Sequence, residues 1–242
     1  MKICVAQTRP IKGDIQSNIE NHKKLIDLAA ANGADIVIFP ELSLTGYEPA
    51  LAKALATNQS DRRFDDFQKI ADASQITIGV GVPTRSGALP CISMVIFQPS
   101  QARQTYSKQY LHADEEPFFS SGPSATGLMG DKTNIALAIC YELSVPKHAQ
   151  KAFANGADVY VASVAKSARG VEQAVKRLAE IAQTYSVPVF MSSCIGPSDD
   201  FESAGKTSVW NREGLLIGQL NETNEGVLIF DMDTQQVIEE VM

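Results

Sequence analysis

Short apolar runs rich in β-branched residues recur along this chain and are separated by segments of helical periodicity. In the first half, the runs KICVAQ, DIVIFPE, ITIGVGVP, CISMVIFQP and ARQTYSK predict strands bounded by Gly and Pro. Most of these runs lack the polar alternation of a half-exposed strand. The pattern therefore indicates sheets that are covered on both faces.

Two helices are predicted between these strands. Residues 17–31 begin with Ser17 and Glu20 in the spacing of a capping box and are followed by Gly33, a typical helix stop. Residues 61–73 form the second predicted helix. Its apolar face consists of Phe64, Phe67 and Ile70 or Ala71.

The second half repeats the alternation. After a predicted loop at about 111–132 come a helix in VPKHAQKAFANG, a helix over 171–185, the strand VPVFMSS and short strands through residue 231. The pentapeptide ANGAD occurs at 31–35 and at 154–158, each time closing a helix and opening a strand. It is either a common helix C-cap or the mark of two topologically similar halves. No linker divides the chain, so residues 1–242 are predicted to form one α/β domain.

Composition narrows the classes of function. The 242 residues carry a net charge of -7 with no basic cluster, which argues against binding to nucleic acid or to an anionic membrane. The apolar start is too short for a secretory signal and no apolar run reaches the length of a membrane span, so a cytoplasmic location is expected. The four cysteines are widely spaced and the three histidines show no ligand spacing, so neither a metal nor a disulfide framework is expected.

The stretch ALAICYELS raises the question of chemistry, because an apolar strand ends in Cys140, Tyr141 and Glu142. A buried cysteine is usually a small packing residue, but a thiol at a strand end can also be a nucleophile. Glu41 ends another apolar run, and Lys108 stands near a further strand terminus. Such a carboxylate can take the thiol proton, and a lysine with a backbone N–H can stabilise an oxyanion, so acyl transfer from an amide needs no histidine.

The contexts of these residues resemble the nitrilase superfamily of carbon-nitrogen hydrolases. FPELSLTGY, YSKQYL and ICYEL look like the family's three signatures, occur in the family's order, and separate Glu41, Lys108 and Cys140 by 67 and 32 residues. Glu115, seven residues before Gly122, stands where the family carries a second glutamate. The similarity continues into VKRLAEIAQTYSVPVFMSSCIG and SVWNREGLLIGQL and so covers nearly the whole chain.

The resemblance implies a four-layer αββα sandwich, a small-molecule amide substrate and no cofactor. It implies that Cys140 is the nucleophile, Glu41 the general base and Lys108 the oxyanion stabiliser. The N–H of Tyr141, beside the substrate, would be the second oxyanion donor, and Glu115 would orient Lys108 or the base. The resemblance allows a homodimer, although this sequence stops soon after its last predicted strand, where many members continue into an arm that embraces a partner subunit.

The sequence departs from many members at Ser144, where the family often carries an arginine that binds substrate carboxylates. Lys166 or Arg169, in the loop AKSARG, is the expected substitute cation. The expected apolar walls of the substrate pocket are Tyr47, Phe118 and Phe119. Because amide hydrolysis is commoner than nitrile hydrolysis in the proteins that this chain resembles, an amidase for small linear amides or N-carbamoyl amines is predicted.

Other interpretations stay open at this point. Cys140 could pair with His112 or His148 in a Cys–His hydrolase. The protein could instead be a true nitrilase, or a non-catalytic binding or regulatory module on the same fold. A redox-sensing thiol is less favoured, since no resolving cysteine lies nearby in sequence.

Overall fold

The computed structural model describes residues 1–123, 128–129 and 133–242. Its strands are β1 (Lys2–Gln7), β2 (Ile36–Ile38), β3 (Thr77–Thr84), β4 (Cys91–Phe97), β5 (Gln104–Ser107), β6 (Leu128–Met129), β7 (Ile135–Ile139), β8 (Val159–Val164), β9 (Val189–Ser193), β10 (Ile195–Ser198), β11 (Phe201–Ala204), β12 (Ser208–Trp210), β13 (Leu216–Gln219), β14 (Gly226–Asp231) and β15 (Val237–Val241). Its helices are α1 (Ile15–Ala31), α2 (Pro49–Leu55), α3 (Asp65–Ser74), α4 (Pro146–Ala154) and α5 (Ala168–Tyr185).

Two large sheets form the centre of the molecule. One has the strand order β15-β14-β1-β2-β3-β4-β5 and the other the order β13-β12-β9-β8-β7-β6, while β10 and β11 form a separate hairpin. The middle strands are parallel in both sheets, β1-β2-β3 in the first and β7-β8-β9 in the second. The carboxyl ends of these strands therefore lie together at one edge of each sheet.

Helices cover the outer face of each sheet. On the first sheet, Ile19 and Ile26 of α1 and Phe67 of α3 pack with Val37 and Ile78 of the strands. On the second, apolar residues of α4 and α5 pack against β7, β8 and β9. The inner faces meet, and hydroxyl groups join them: Ser192 Oγ donates to the Ala6 carbonyl at 2.7 Å and Ser163 Oγ to the Phe39 carbonyl at 2.9 Å. The predicted αββα sandwich is confirmed.

The prediction for the start of α1 was wrong. The helix begins at Ile15, and Asp14 is the N-cap, accepting hydrogen bonds from the Ser17 N–H at 3.1 Å and the Ser17 hydroxyl at 2.8 Å. The positive end of the helix dipole stabilises the carboxylate of Asp14, which can accept both of these hydrogen bonds. Asp14 is therefore the cap, and Ser17 lies inside the first turn. The predicted stop was right, since Gly33 takes the left-handed conformation with φ of 73°.

Other boundaries differ by a few residues. The helix predicted at 61–73 is a 3₁₀ turn, Arg62–Phe64, followed by α3, and α5 begins at Ala168 rather than at 171. The short helix α2 was not predicted. Within the predicted loop at 111–132 lies β6, while residues 124–127 and 130–132 are outside the described part of the chain.

The two ANGAD segments have the same structural role. Each ends a helix with a glycine of positive φ, Gly33 or Gly156, and then opens a parallel strand. Asp35 accepts the Lys2 N–H at 2.7 Å, and Asp158 accepts the Asn134 N–H at 2.9 Å, so each aspartate holds the start of the neighbouring strand. This equivalence favours two topologically similar halves over a coincidence of helix capping.

Candidate active site

Strand direction brings the predicted polar residues to one edge of the sandwich. Glu41 follows β2 and Cys140 follows β7, both at carboxyl ends of parallel strands. Strand β5 is antiparallel to β4, which is antiparallel to β3, so β5 runs in the direction of β3 and delivers Lys108 at the same edge. Residues that are far apart in sequence thus meet between the two sheets.

The ammonium group of Lys108 lies between two carboxylates. Its Nζ is 2.8 Å from Glu41 Oε1 and 2.6 Å from Glu115 Oε1, and the side chains of all three residues are at most 2% exposed. Burial opposes the charge of Lys108, but the two carboxylates outweigh it and raise the pKa above its ordinary value. Lys108 therefore stays protonated and supplies a fixed positive charge inside the protein.

Further hydrogen bonds hold both carboxylates. Glu41 Oε2 accepts the Ala165 N–H at 3.3 Å, across the interface between the sheets. Glu115 accepts the Tyr47 hydroxyl at 3.1 Å on Oε1 and the His112 N–H at 2.8 Å on Oε2. These bonds leave the two carboxylates little freedom to rotate.

Cys140 sits at a sharp turn between β7 and the 3₁₀ helix Cys140–Ser144. Its φ of 46° lies in the left-handed region that non-glycine residues rarely adopt, a kind of strain that concentrates at functional sites. The thiol is within hydrogen-bond range of the Ala165 carbonyl at 3.7 Å. Cys140 is 9% exposed and lines a cavity of about 290 Å³, whereas Cys4, Cys91 and Cys194 are at most 2% exposed.

The electrostatics couple the thiol to the base. Burial, followed by the negative charge of Glu41, raises the pKa of Cys140 to about 11, while Lys166 and Lys108 oppose that shift. Burial also raises the pKa of Glu41 above its ordinary value; the charge of Lys108 is the main influence against this shift, and a hydrogen bond with Cys140 is a smaller one. A buried carboxylate of raised pKa beside a thiol is suited to accept the thiol proton during nucleophilic attack.

The cavity contains several of the predicted substrate-binding residues. Tyr47, Tyr141 and Lys166 line it, and so do Asp114, Ser167 and Phe201. Phe201 packs against Tyr47 with ring centroids 5.7 Å apart. The predictions for Phe118, Arg169 and Phe119 were wrong, since none of the three lines the cavity: Phe118 and Arg169 are exposed to solvent elsewhere and Phe119 is in the core.

The histidines are occupied by other partners. His148 is buried, with Nδ1 2.9 Å from the Tyr160 hydroxyl and Nε2 3.0 Å from the Tyr106 hydroxyl. His112 lines the cavity, but its Nδ1 lies 2.6 Å from Asp114. Among the hydrogen bonds of residues 1–123 and 133–242, none joins an imidazole to Cys140, so the geometry favours Glu41 as the base.

Sequence reasoning missed three residues that shape the site. Ala165 contributes through its backbone, which no side-chain pattern reveals. Gly81 lets the Glu41 turn approach β3: a Cβ there would lie 2.3 Å from the Pro40 carbonyl oxygen. Glu142 is fully buried behind Cys140, and a carboxylate in the apolar run ICYEL was the available signal.

Neither a metal cluster nor a membrane helix emerges from the described residues. Over that part of the chain, His, Cys, Asp and Glu side chains form no group of three that could hold a metal ion. No helix there has the length and apolarity needed to cross a membrane.

Comparison with known proteins shows the family of the chain. The sequence profile described as carbon-nitrogen hydrolase matches residues 2–239. A glutamine-dependent NAD(+) synthetase from Thermotoga maritima is 23% identical over 98% of this chain, which spans only 42% of that relative's length. A nitrilase from Pyrococcus abyssi is 24% identical over 96% of this chain and 90% of its own.

A solved structure shows the same fold. A mutant of the amidase from Nesterenkonia sp. AN1 superposes with a TM-score of 0.85 at 20% identity, covering 96% of this chain and 93% of that chain. Its structure shows the result of Michael addition of acrylamide at the active site cysteine.

Proposed function

Because the chain belongs to the carbon-nitrogen hydrolase family, we propose that it is a cysteine-dependent amidase that hydrolyses small linear amides or N-carbamoyl amines through a thioester. One observation carries the proposal: Cys140 opens into a cavity directly beside a buried Glu41–Lys108–Glu115 cluster. The reactive cysteine of the similarly folded Nesterenkonia amidase supports the role of the thiol.

In the acylation half, the Cys140 sulfur attacks the amide carbonyl carbon while Glu41 accepts the thiol proton. The carbonyl oxygen becomes an oxyanion, which the Lys108 ammonium group and the Tyr141 N–H stabilise. The first N–H groups of a 3₁₀ helix have no acceptor within the helix, so Tyr141 has a donor to offer. Collapse of the intermediate breaks the C–N bond, and the leaving nitrogen takes the proton from Glu41 and departs as ammonia or an amine.

In the deacylation half, Glu41 takes a proton from water as that water attacks the thioester carbonyl. Lys108 stabilises the second oxyanion in the same position. Collapse breaks the C–S bond, and Glu41 returns its proton to the Cys140 sulfur. The carboxylic acid product leaves and the resting site is restored.

The cavity limits the substrate. A volume of about 290 Å³ is at the lower end for ligand sites and suits a short chain. Tyr47 and Phe201 supply apolar wall, and Lys166, which lines the same cavity, is the cation that we propose as the partner of a substrate carboxylate. Short amides with a terminal carboxylate are therefore the first compounds to examine.

The test is a screen for ammonia release with wild type, Cys140→Ala and the matched control Cys91→Ala, which removes another buried thiol. We expect turnover by wild type and the control, no turnover by Cys140→Ala, and an acyl adduct on the Cys140 peptide by mass spectrometry during turnover. Substantial hydrolysis by Cys140→Ala would exclude the covalent mechanism.

A nitrile hydrolase is the second candidate, favoured by the similarity to the Pyrococcus abyssi nitrilase. The same thiol would attack a nitrile carbon and form a thioimidate. Nitriles of matching chain length in the same screen separate the two activities. Turnover of nitriles but not of amides would replace the amidase proposal.

A further inference from the structure

Glu142 occupies a position that the proposed chemistry does not use. Two residues after Cys140, it is fully buried and does not line the cavity, so it touches no substrate. Burial raises the pKa of its carboxyl group, and the backbone N–H of Ile139 leads the hydrogen bonds that oppose this shift. Burying a carboxylate is costly unless both of its oxygens accept hydrogen bonds.

Its two oxygens bind backbone N–H groups next to two different functional residues. Oε2 accepts the N–H of Ile139, the residue before Cys140, at 2.8 Å. Oε1 accepts the N–H of Gln109, the residue after Lys108, at 2.6 Å. One side chain therefore joins the nucleophile turn on the second sheet to the lysine strand end on the first.

A buried chain of hydrogen bonds fixes the carboxylate from behind. The Tyr106 hydroxyl donates to Glu142 Oε2 at 2.7 Å and lies 3.0 Å from His148 Nε2, while His148 Nδ1 lies 2.9 Å from the Tyr160 hydroxyl. Because Tyr106 gives its proton to Glu142, the His148 Nε2–H must donate to Tyr106, and Nδ1 accepts from Tyr160. Burial lowers the pKa of His148 to about 4, which agrees with this neutral ring.

We infer that Glu142 is a positioning residue that holds the Cys140 turn and the Lys108 strand end at a fixed separation across the two sheets. The strained φ of 46° at Cys140 needs such an external restraint, since the turn would otherwise relax. The Lys108 ammonium group must also lie close to the oxyanion that forms when Cys140 attacks, because small displacements of reacting groups lower the rate by large factors.

Glu142→Gln tests this inference with almost no change in shape. Each oxygen of Glu142 accepts a backbone N–H, so in either orientation the glutamine NH₂ group faces a donor and one of the two connections is lost. We expect kcat to fall by about 10²-fold with KM within about threefold of wild type, because the cavity lining is unchanged. Asp61→Asn is the matched control: like Glu142, Asp61 accepts a backbone N–H (from Arg63) and a hydroxyl (from Thr57) and does not line the cavity, but neither of these partners adjoins Cys140 or Lys108.

A second measurement needs no substrate. The pH dependence of iodoacetamide alkylation of Cys140 reports the thiol pKa, which burial and Glu41 raise in the native turn. In Glu142→Gln the released turn should move this midpoint down toward the ordinary value of 9.0, whereas Asp61→Asn should leave it unchanged. A variant that only lost stability would keep the wild-type midpoint in its folded fraction.

The outcomes separate this inference from the amidase proposal on which its kcat readout rests. If the wild type hydrolyses no amide but the midpoint moves, the amidase proposal fails and the positioning role stands. If folded Glu142→Gln keeps the wild-type kcat and midpoint, the positioning role is refuted. Should Glu142→Gln fail to fold, Tyr106→Phe removes one support of the same carboxylate, and the inference requires a smaller change of both readouts in the same direction.

Discussion

Glu41→Gln is the most direct test of the proposed general base, since the amide keeps the shape of the carboxylate but cannot accept the thiol proton. Burial and the charge of Glu41 raise the pKa of Cys140 to about 11. Without a base, only about one thiol in 10⁴ is ionised at pH 7, which corresponds to roughly 5 kcal/mol of added barrier. Loss of the Glu41 charge also lowers the thiol pKa and offsets part of this barrier, so we expect kcat/KM to fall by about 10²–10⁴-fold.

The pH profile gives the sharper comparison. Glu41 must be ionised to act, and burial raises its pKa, so the acid limb of wild-type kcat/KM should lie above the ordinary value of 4.5. Above that limb the wild-type rate should level off. In the variant, hydrolysis depends on the minor thiolate, so its rate should rise about tenfold per pH unit from pH 7 toward the thiol pKa.

The assay is ammonia release from the best amide substrate between pH 5 and pH 10, with Glu116→Gln as an exposed carboxylate control. Stability should decrease only modestly in Glu41→Gln, because Lys108 keeps its 2.6 Å contact with Glu115 and no buried charge is left unpaired. A variant with activity within about fivefold of wild type, or with a flat profile above pH 7, would refute the assignment of Glu41.

Two further substitutions test other parts of the site, and a third prediction concerns how stability depends on pH. Lys108→Met should lower kcat at least ~10²-fold in ammonia-release assays, because it removes the oxyanion charge; unchanged kcat would exclude that role. Lys166→Ala should raise KM roughly tenfold for carboxylate-bearing amides and leave neutral amides unaffected, and equal effects on both would return Lys166 to a solvated loop residue. Burial lowers the pKa of His22 to about 3 and of His148 to about 4, so below pH 6.5 the unfolded chain takes up protons that the folded protein does not. Their stabilising contribution is complete above pH 6.5 and should fall by roughly 1 kcal/mol per pH unit for each histidine toward pH 4. Urea unfolding measures this slope, and replacing either histidine should flatten it; an unchanged slope in both variants would contradict the prediction.

Local sequence determined the elements and the identity of the reactive groups. Apolar runs of strand length and helices closed by Gly33 and Gly156 are decided by side-chain burial and by backbone conformation within a few residues. Glu41 and Cys140 stood out because a carboxylate and a thiol follow apolar runs, whereas Lys108, and the roles of all three residues, came from the ordered resemblance of their sequence contexts to the nitrilase superfamily. The start of α1 was misjudged because Asp14 and Ser17 are both good caps, and only the folded backbone shows which of them accepts the N–H.

Tertiary structure decided the arrangement of those groups. The parallel strands of both sheets place Glu41 and Cys140 at one edge, and the antiparallel pairs β3-β4 and β4-β5 return Lys108 to it. The placement of Phe118 at the surface and of Phe119 in the core depends on a loop conformation, and the exclusion of Arg169 from the cavity lining depends on the orientation of α5; no local pattern specifies either. The role of Glu142 was equally hidden, because its partners are backbone N–H groups, which every residue except proline possesses. The backbone N–H groups that a given carboxylate binds depend on how the two sheets pack. Burial of their apolar faces brings the sheets together and sets the distance between Cys140 and Lys108, and only then do the N–H groups of Ile139 and Gln109 lie within reach of Glu142.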